Sequence, residues 1–358
     1  MNMAQKPAFE GNQYRARDDL LAWLGQSREA PIEPDLPVVD AHHHLWNDDH
    51  RRYQIPDLVD DIGTMNVIAS VFIECGATYD TKIDYSEGAV IPALVYKQPV
   101  SEVHFVVDEV ASHAGAERHG LCKAIVGFGN LLVGETAARD MLETFIEAGA
   151  GRFRGIRQSA AWDPAIGAMA WRTPPPGFYL DDRFRSGFNA LKTLGLSFDA
   201  WLYYPQLYDV ILLARRFPDV TIILDHFGGM VGILEYAAWP KERFRQWRAY
   251  MRELAQCPNV VVKMGGLGMP MVGLGTHLLE KPADSTQLAT AWKPYVDVSV
   301  EAFGTNRCMI GSNFPVDRQT AHYTTVWNAY KIATKNYSKD ERQDLFSGTA
   351  SRVYKLKD

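Results

Sequence analysis

His42, His43 and His44 stand in a row in "VVDAHHHLWN", after an apolar run interrupted only by Asp40. Side chains on an extended segment alternate faces, so His42 and His44 are expected to share one face and His43 to take the other. Two imidazoles on one face can ligate one divalent metal ion or orient one substrate group. The plainer alternative is a pair of hydrogen-bonded histidines with no ligand. Other apolar runs also end in groups suited to chemistry. Glu74 closes "VIASVFIEC", Arg157 and Gln158 lie in "FRGIRQS", and Asp225 and His226 in "TIILDHF". Lys263 lies in "NVVVKMGG", and Asn313 in "CMIGSNFP" with Asp317 shortly after. Burying such groups at the ends of several apolar segments is costly without partners, which favours one converging polar site.

The elements that must position them follow from the same runs. With "KAIVGFGNL" and "LSFDAWLYY" there are eight, short and rich in β-branched residues. Between them lie amphipathic patterns such as "AARDMLETFIEAG", "PQLYDVILLARRFP" and "ERFRQWRAYMRELAQ". This alternation predicts an α/β fold, a single-domain (β/α)8 TIM barrel over residues 37–358, with its site at the C-terminal ends of the strands. A doubly wound sheet is the runner-up, weakened by the lack of a G-x-G-x-x-G after the first strand. Residues 1–36, with "RARDDLLAWLGQ" and a proline-rich "APIEPDLP", read as an N-terminal helical extension packed on the barrel.

Composition narrows the partners. The chain has 358 residues, 47% of them hydrophobic, and a net charge of −6, which opposes a nucleic-acid footprint of clustered Lys and Arg. No apolar run is long enough to span a membrane, and the N-terminus lacks a signal-peptide core. A cytoplasmic enzyme acting on a small molecule is the expectation, with no nucleic-acid or membrane partner. Cys75, Cys122, Cys257 and Cys308 are far apart and form no C-x-x-C, so they read as small buried hydrophobes.

Taken in order, "DAHHHLW", "GIRQ", "FPDVTIILDHFGG", "NVVVKMGGLGMP" and "CMIGSNFPVDR" resemble the barrel motifs of the amidohydrolase-related family. The similarity lies with the branch that includes sugar lactonases and 2-pyrone-4,6-dicarboxylate lactonase, and it runs from about residue 37 to "LFSGTASRVYKL". It implies a hydrolase that uses activated water to open a lactone or similar ester of a small carboxylated substrate, sugar-derived or from aromatic degradation. It also implies His42 and His44 as ligands of one divalent metal ion, zinc or manganese, His226 as the histidine that handles the water, and Arg157 as a clamp for a substrate carboxylate. Lys263 would be a second electrostatic anchor, or simply a paired lysine at a strand end.

Two departures bear on the chemistry. Asn313 stands where the family pattern has aspartate in G-S-D-x-P, and a neutral amide ligates weakly and cannot be a general base. Glu74 or Asp317 is expected to supply the missing carboxylate, Glu74 slightly favoured because it ends a strand, and Asn313 then joins the substrate-binding groups. The fifth run carries Trp201, Tyr203 and Tyr204 where metal-binding relatives supply a histidine. A metal-independent mechanism, with histidines polarising the carbonyl through hydrogen bonds, therefore stays open beside the metal-assisted one.

Long apolar loops after the fourth and seventh runs are expected to set specificity, with Trp162, Trp171 and Met269 lining a pocket and His277 not a ligand. A metal-dependent decarboxylase of an aromatic or muconate-type acid is the alternative activity. A non-catalytic degenerate barrel is the second alternative, and it draws on Asn313. Barrel hydrolases commonly self-associate as homo-oligomers, but no segment marks an interface.

Overall fold

In the computed structural model, residues 11–12, 14–47, 51–79, 93–166 and 174–356 are described. All eight apolar runs form strands: β1 (Val38–His43), β2 (Val67–Ile73), β3 (Ala124–Phe128), β4 (Phe153–Arg157), β5 (Ser197–Ala200), β6 (Ile222–Leu224), β7 (Val260–Met264) and β8 (Cys308–Ile310). They pair in parallel in chain order. Just beyond the paired segments the first and last strands meet. Asn313 N–H donates to the His42 carbonyl at 2.8 Å, and His44 N–H to the Phe314 carbonyl at 2.7 Å. Asp40 strengthens this seam by accepting from the Ser312 hydroxyl (2.6 Å), the Ser312 amide (2.8 Å) and the Tyr323 hydroxyl (3.0 Å). The result is a (β/α)8 barrel.

The three helical patterns read from the sequence become α4, α6 and α7 in the series α1 (Arg17–Leu24), α2 (Ile55–Ile62), α3 (Val100–Ser112), α4 (Glu135–Ala148), α5 (Asp182–Leu194), α6 (Leu207–Arg216), α7 (Pro240–Leu254), α8 (Ser285–Phe303) and α9 (Tyr323–Ala333). Their apolar faces pack on the outer faces of the strands in one large core. The barrel interior is filled by Val39, Ala41, Val71, Val126, Ile223 and their neighbours, and Tyr354 reaches it from the C-terminal segment. Branched side chains in such layers fill the barrel as a packed core rather than a pore.

The extension wraps the rim of the barrel. The Trp23 indole donates to the Leu279 carbonyl at 3.0 Å, His322 Nε2 lies 2.8 Å from the Leu24 carbonyl, and Lys331 Nζ donates to the Ile32 carbonyl at 2.6 Å. These contacts tie residues 14–36 to the loop after β7 and to the helices after β8. No helix among the described residues is long and apolar enough to cross a membrane. All four cysteines carry free thiols; Cys122, Cys257 and Cys308 are buried and Cys75 is half-buried.

Candidate active site

The histidines of β1 owe their direction to one extra residue. Asp40 pairs with Ser70 and His43 with Phe72, so three steps along β1 match two along β2. Val39 and Ala41 face the barrel interior before this bulge, and strict alternation would have put His43 there with them. The bulge reverses the parity, as bulges beside functional sites do. His43 therefore points outward, its Nε2 2.8 Å from the Ser70 hydroxyl, while His42 and His44 meet each other with Nε2 atoms 3.2 Å apart.

That close approach has an electrostatic meaning. His44 Nδ1 lies 2.8 Å from the Ile73 carbonyl, which can only accept, so the ring proton sits on Nδ1 and Nε2 presents a lone pair. His42 Nδ1 faces the Asp225 carboxylate at 3.5 Å, which favours the same tautomer. Two lone pairs pointed at one another repel unless a cation or a shared proton lies between them. Two nitrogens on a tetrahedral ion at a Zn–N distance of about 2.0–2.1 Å stand about 3.3 Å apart.

His226 and Asp225 complete the cluster. His226, Phe227, Gly228 and Gly229 all have positive φ, making a tight left-handed turn directly after β6. The Trp247 indole of α7 holds this turn by donating to the Phe227 carbonyl at 2.7 Å. A Cβ on Gly266 would lie 2.7 Å from His226 Cγ, and one on Gly311 would lie 2.6 Å from His42 Cβ. The Gly-Gly after β7 and the glycine of "GSN" thus make room for the two rings. His42, Asp225 and His226 bring ligand atoms within 4.8 Å of one another, and His226 Nδ1 and His42 Nδ1 are buried with no hydrogen-bond partner. Converging imidazoles and a carboxylate in one buried cluster fit a divalent ion, with His42 and His44 as nitrogen donors and Asp225 and His226 at its border.

Burial, then the neighbouring imidazoles and the cations Lys263 and Arg157, hold the His42 ring well below its usual range. His44 is lowered well below its usual range by burial and then Arg157. His226 is pushed down to about 3 by burial, against the pull of Asp225. All three are neutral at physiological pH, the state a metal requires of a ligand imidazole and a proton acceptor requires of its ring. Burial opposes charge on Asp225, but Lys263, His226 and Arg157 outweigh it and keep the carboxyl below its ordinary value.

Arg157 and Lys263 form a charged layer beneath these groups. Arg157 Nε donates to Glu74 Oε1 at 2.8 Å, and Arg157 Nη1 stands 3.5 Å from Asp225 Oδ2. Lys263, fully buried, lies 2.6 Å from Asp199 Oδ2 and 3.2 Å from Asp225 Oδ1, and Tyr354 closes the network with a 2.8 Å bond to Asp199. Glu74 is thus engaged by Arg157 rather than standing apart as a base. Asn313 donates through Nδ2 to Asp317 Oδ1 at 2.8 Å, and Gly268 N–H donates to Asp317 Oδ2 at 3.0 Å. Burial pushes Asp317 up to about 7 against those two bonds.

Of the loop residues, Trp162 is half-buried, and its backbone N–H donates to Gln206 at 3.0 Å. Trp171 lies outside the described residues. Met269 is buried, and its Cε would lie 2.9 Å from a Cβ on Gly266, on the His226 side of the loop. His277 packs edge-on against Tyr14 of the extension, with ring centroids 5.0 Å apart. Trp201, directly after β5, packs its ring edge-on to His226 at 5.1 Å, so an aromatic wall stands in place of a fifth-strand histidine. From the sequence Asp225 is one of the polar groups at strand ends but has no role of its own, and Asp199 is not among them. Asp225 carried the same signal as the others, an acid closing the apolar run "TIILD", but the adjacent His226 absorbed the reading.

His43 gives a pH prediction. Burial lowers its pKa to about 4 from an ordinary 6.5, so the unfolded chain binds a proton that the folded chain refuses between those values. Its contribution to stability is complete above pH 6.5 and is lost as pH falls toward 4, at up to about 1.4 kcal/mol per pH unit per proton. Urea midpoints measured from pH 7 to pH 4.5 should fall less steeply in a His43→Gln variant than in wild type. Equal slopes would show that His43 does not carry this dependence.

The chain belongs to the amidohydrolase family: the family profile described as Amidohydrolase matches residues 39–356. It is 29% identical over 344 residues to protein y4mH of Sinorhizobium fredii, covering 90% of this chain and 99% of that one. It is 26% identical over 319 residues to an L-fucono-1,5-lactonase of Burkholderia multivorans, covering 89% and 96%. Among solved structures, an amidohydrolase from Burkholderia multivorans with bound zinc superposes with a TM-score of 0.64 at 23% identity, covering 89% of this chain and 99% of that one. The protein is a hydrolase-class enzyme of this family.

Proposed function

We propose that this protein uses water to open a lactone of a small carboxylated molecule, sugar-derived or from aromatic breakdown, at a site holding one divalent ion, zinc or manganese. The observation that carries this reading is the pair of Nε2 atoms 3.2 Å apart with the His44 tautomer fixed by Ile73. The similarity to a lactonase of a sugar acid supports the substrate class. A divalent ion between those nitrogens would polarise the lactone carbonyl and acidify a water molecule.

The chain's own groups do the rest. His42 and His44 offer neutral nitrogens and keep that face of the site free of protons. His226 offers a neutral ring beside those nitrogens to take a proton from water, and the Asp225 carboxylate next to it favours the imidazolium that results. Beyond its bonds to Glu74 and the approach of Nη1 to Asp225, Arg157 keeps further N–H donors on Nη1 and Nη2 to clamp a substrate carboxylate. Asn313 and Asp317 brace the turn after β8, and Trp162 borders the substrate.

The test is hydrolysis of L-fucono-1,5-lactone, other sugar-acid lactones and 2-pyrone-4,6-dicarboxylate, followed by a pH indicator against the uncatalysed rate, with zinc or manganese supplied. Turnover of at least one lactone to its open hydroxy acid is expected. No turnover of any, together with carbon dioxide release from a carboxylated aromatic acid, would replace the reading with decarboxylation.

A further inference from the structure

The barrel interior holds a charged pair where branched apolar side chains otherwise fill the layers. Asp199 of β5 and Lys263 of β7 are fully buried, and both touch Tyr354, a member of the apolar cluster inside the barrel. Tyr354 comes from the far end of the chain. It directly follows the short helix Thr349–Val353, and Arg154 of β4 pins its backbone by donating Nε to its carbonyl at 2.8 Å. Packing alone asks only for a ring or a branched side chain here, and a buried hydroxyl costs free energy unless it is bonded. This one donates to Asp199 Oδ2 at 2.8 Å.

That bond begins a row in which each group shares an atom with the next. Lys263 Nζ donates to the same Asp199 Oδ2 at 2.6 Å, and Asp199 Oδ1 is buried without a hydrogen-bond partner, so both donors fall on one oxygen. Lys263 Nζ also stands 3.2 Å from Asp225 Oδ1, and that oxygen in turn faces His42 Nδ1 at 3.5 Å. The Tyr354 ring covers a third side of the ammonium, with Nζ 5.3 Å from the ring centroid. Two carboxylates thus compete for one lysine, and the tyrosine hydroxyl satisfies part of what Asp199 lacks. Without that hydroxyl Asp199 draws Lys263 away from Asp225, and the oxygen that faces His42 loses its anchor.

We infer that Tyr354 is a positioning residue for the hydrolytic site, fixing through Asp199 and Lys263 the Asp225 oxygen that faces His42. The C-terminal segment is then a working part of that site rather than a plug beneath it. The kinetic consequence rests on the lactone-opening reading, whereas the link from Tyr354 to His42 stands apart from it.

The experiment compares wild type with Tyr354→Phe, which keeps the ring and removes the hydroxyl. The control is Tyr337→Phe, which removes a hydroxyl bonded to Asp297 of α8 at 3.1 Å. Thermal melting verifies that each variant folds. Two readouts are taken on the full chain with zinc supplied: the ring-nitrogen NMR signals of isotope-labelled histidines, His42 being assigned by its absence from His42→Ala, and kcat and KM on a lactone. In Tyr354→Phe the His42 signals should move, and kcat should fall about tenfold with KM within about twofold of wild type, the pattern of a displaced group rather than a lost substrate contact. Tyr337→Phe should change neither. Asp199→Asn keeps the shape of the pair and should move the same signals, and adding Tyr354→Phe to it should lower kcat no further, because the hydroxyl acts through Asp199. Unmoved His42 signals, an unchanged kcat on a lactone that wild type opens, or a further loss in the double variant would each overturn the inference. Moved signals in a protein that opens no lactone would uphold the link and overturn only the lactone reading.

Discussion

Replacing His42 and His44 together with alanine should remove the bound metal and lower kcat/KM on a lactone by about 10³-fold or more, the scale of losing a preorganised electrophile. The two Nε2 atoms lie 3.2 Å apart and His44 is locked in one tautomer by Ile73, so neither ring can be replaced by a neighbour without moving β1. Elemental analysis by mass spectrometry should find about one equivalent of zinc or manganese in wild type and none in the variant. A metal-free wild type that still hydrolyses lactones at full rate would instead leave His42 and His44 acting as hydrogen-bond donors to the carbonyl, and one of the rings would then need to carry a proton on Nε2. His43→Gln separates the two faces of β1. It disturbs the Ser70 bond outside the barrel and should leave metal content unchanged.

The sequence carried the barrel because apolar β-branched runs and amphipathic helices alternate eight times, and burial enforces both periods. It carried the pairing of His42 with His44 for the same reason. It did not carry which face they take, because a single-residue bulge between Asp40 and His43 decides that, and a bulge leaves no mark on a pattern of period two. Asp225 is legible as a polar group at a strand end but not in its role, because its neighbour His226 is the rarer residue, yet the carboxylate, with Lys263 at 3.2 Å and Arg157 at 3.5 Å, sits at the centre of the charged layer. Glu74 could be recognised as a polar group at a strand end, but its partner Arg157 lies far along the chain and only the barrel brings the two together, whereas Asp317 bonds Asn313 four residues before it, within one local turn.

Lys263→Met should destabilise the protein by about 3–5 kcal/mol, the scale of leaving a buried charge without its partner. The lysine is fully buried, 2.6 Å from Asp199 and 3.2 Å from Asp225, and methionine of similar length would leave two carboxylates facing one another inside the barrel. Burial already raises the Asp199 pKa against the pull of Lys263, so removing the lysine drives that carboxyl further toward its protonated form. A denaturation midpoint well below that of wild type, at unchanged m-value, is the expected result. The sequence suggested a substrate anchor at this position, and the two roles separate cleanly in measurement. A lysine that met substrate would raise KM and leave the midpoint where it was, whereas one that balances Asp199 and Asp225 shifts the midpoint first. Its effect on turnover then follows through Asp225, which loses the cation that keeps it ionised beside His42 and His226. An Asp199→Asn/Lys263→Met double variant tests that route, because removing both members of the closest pair should recover part of the lost stability while leaving Asp225 still short of a counter-charge.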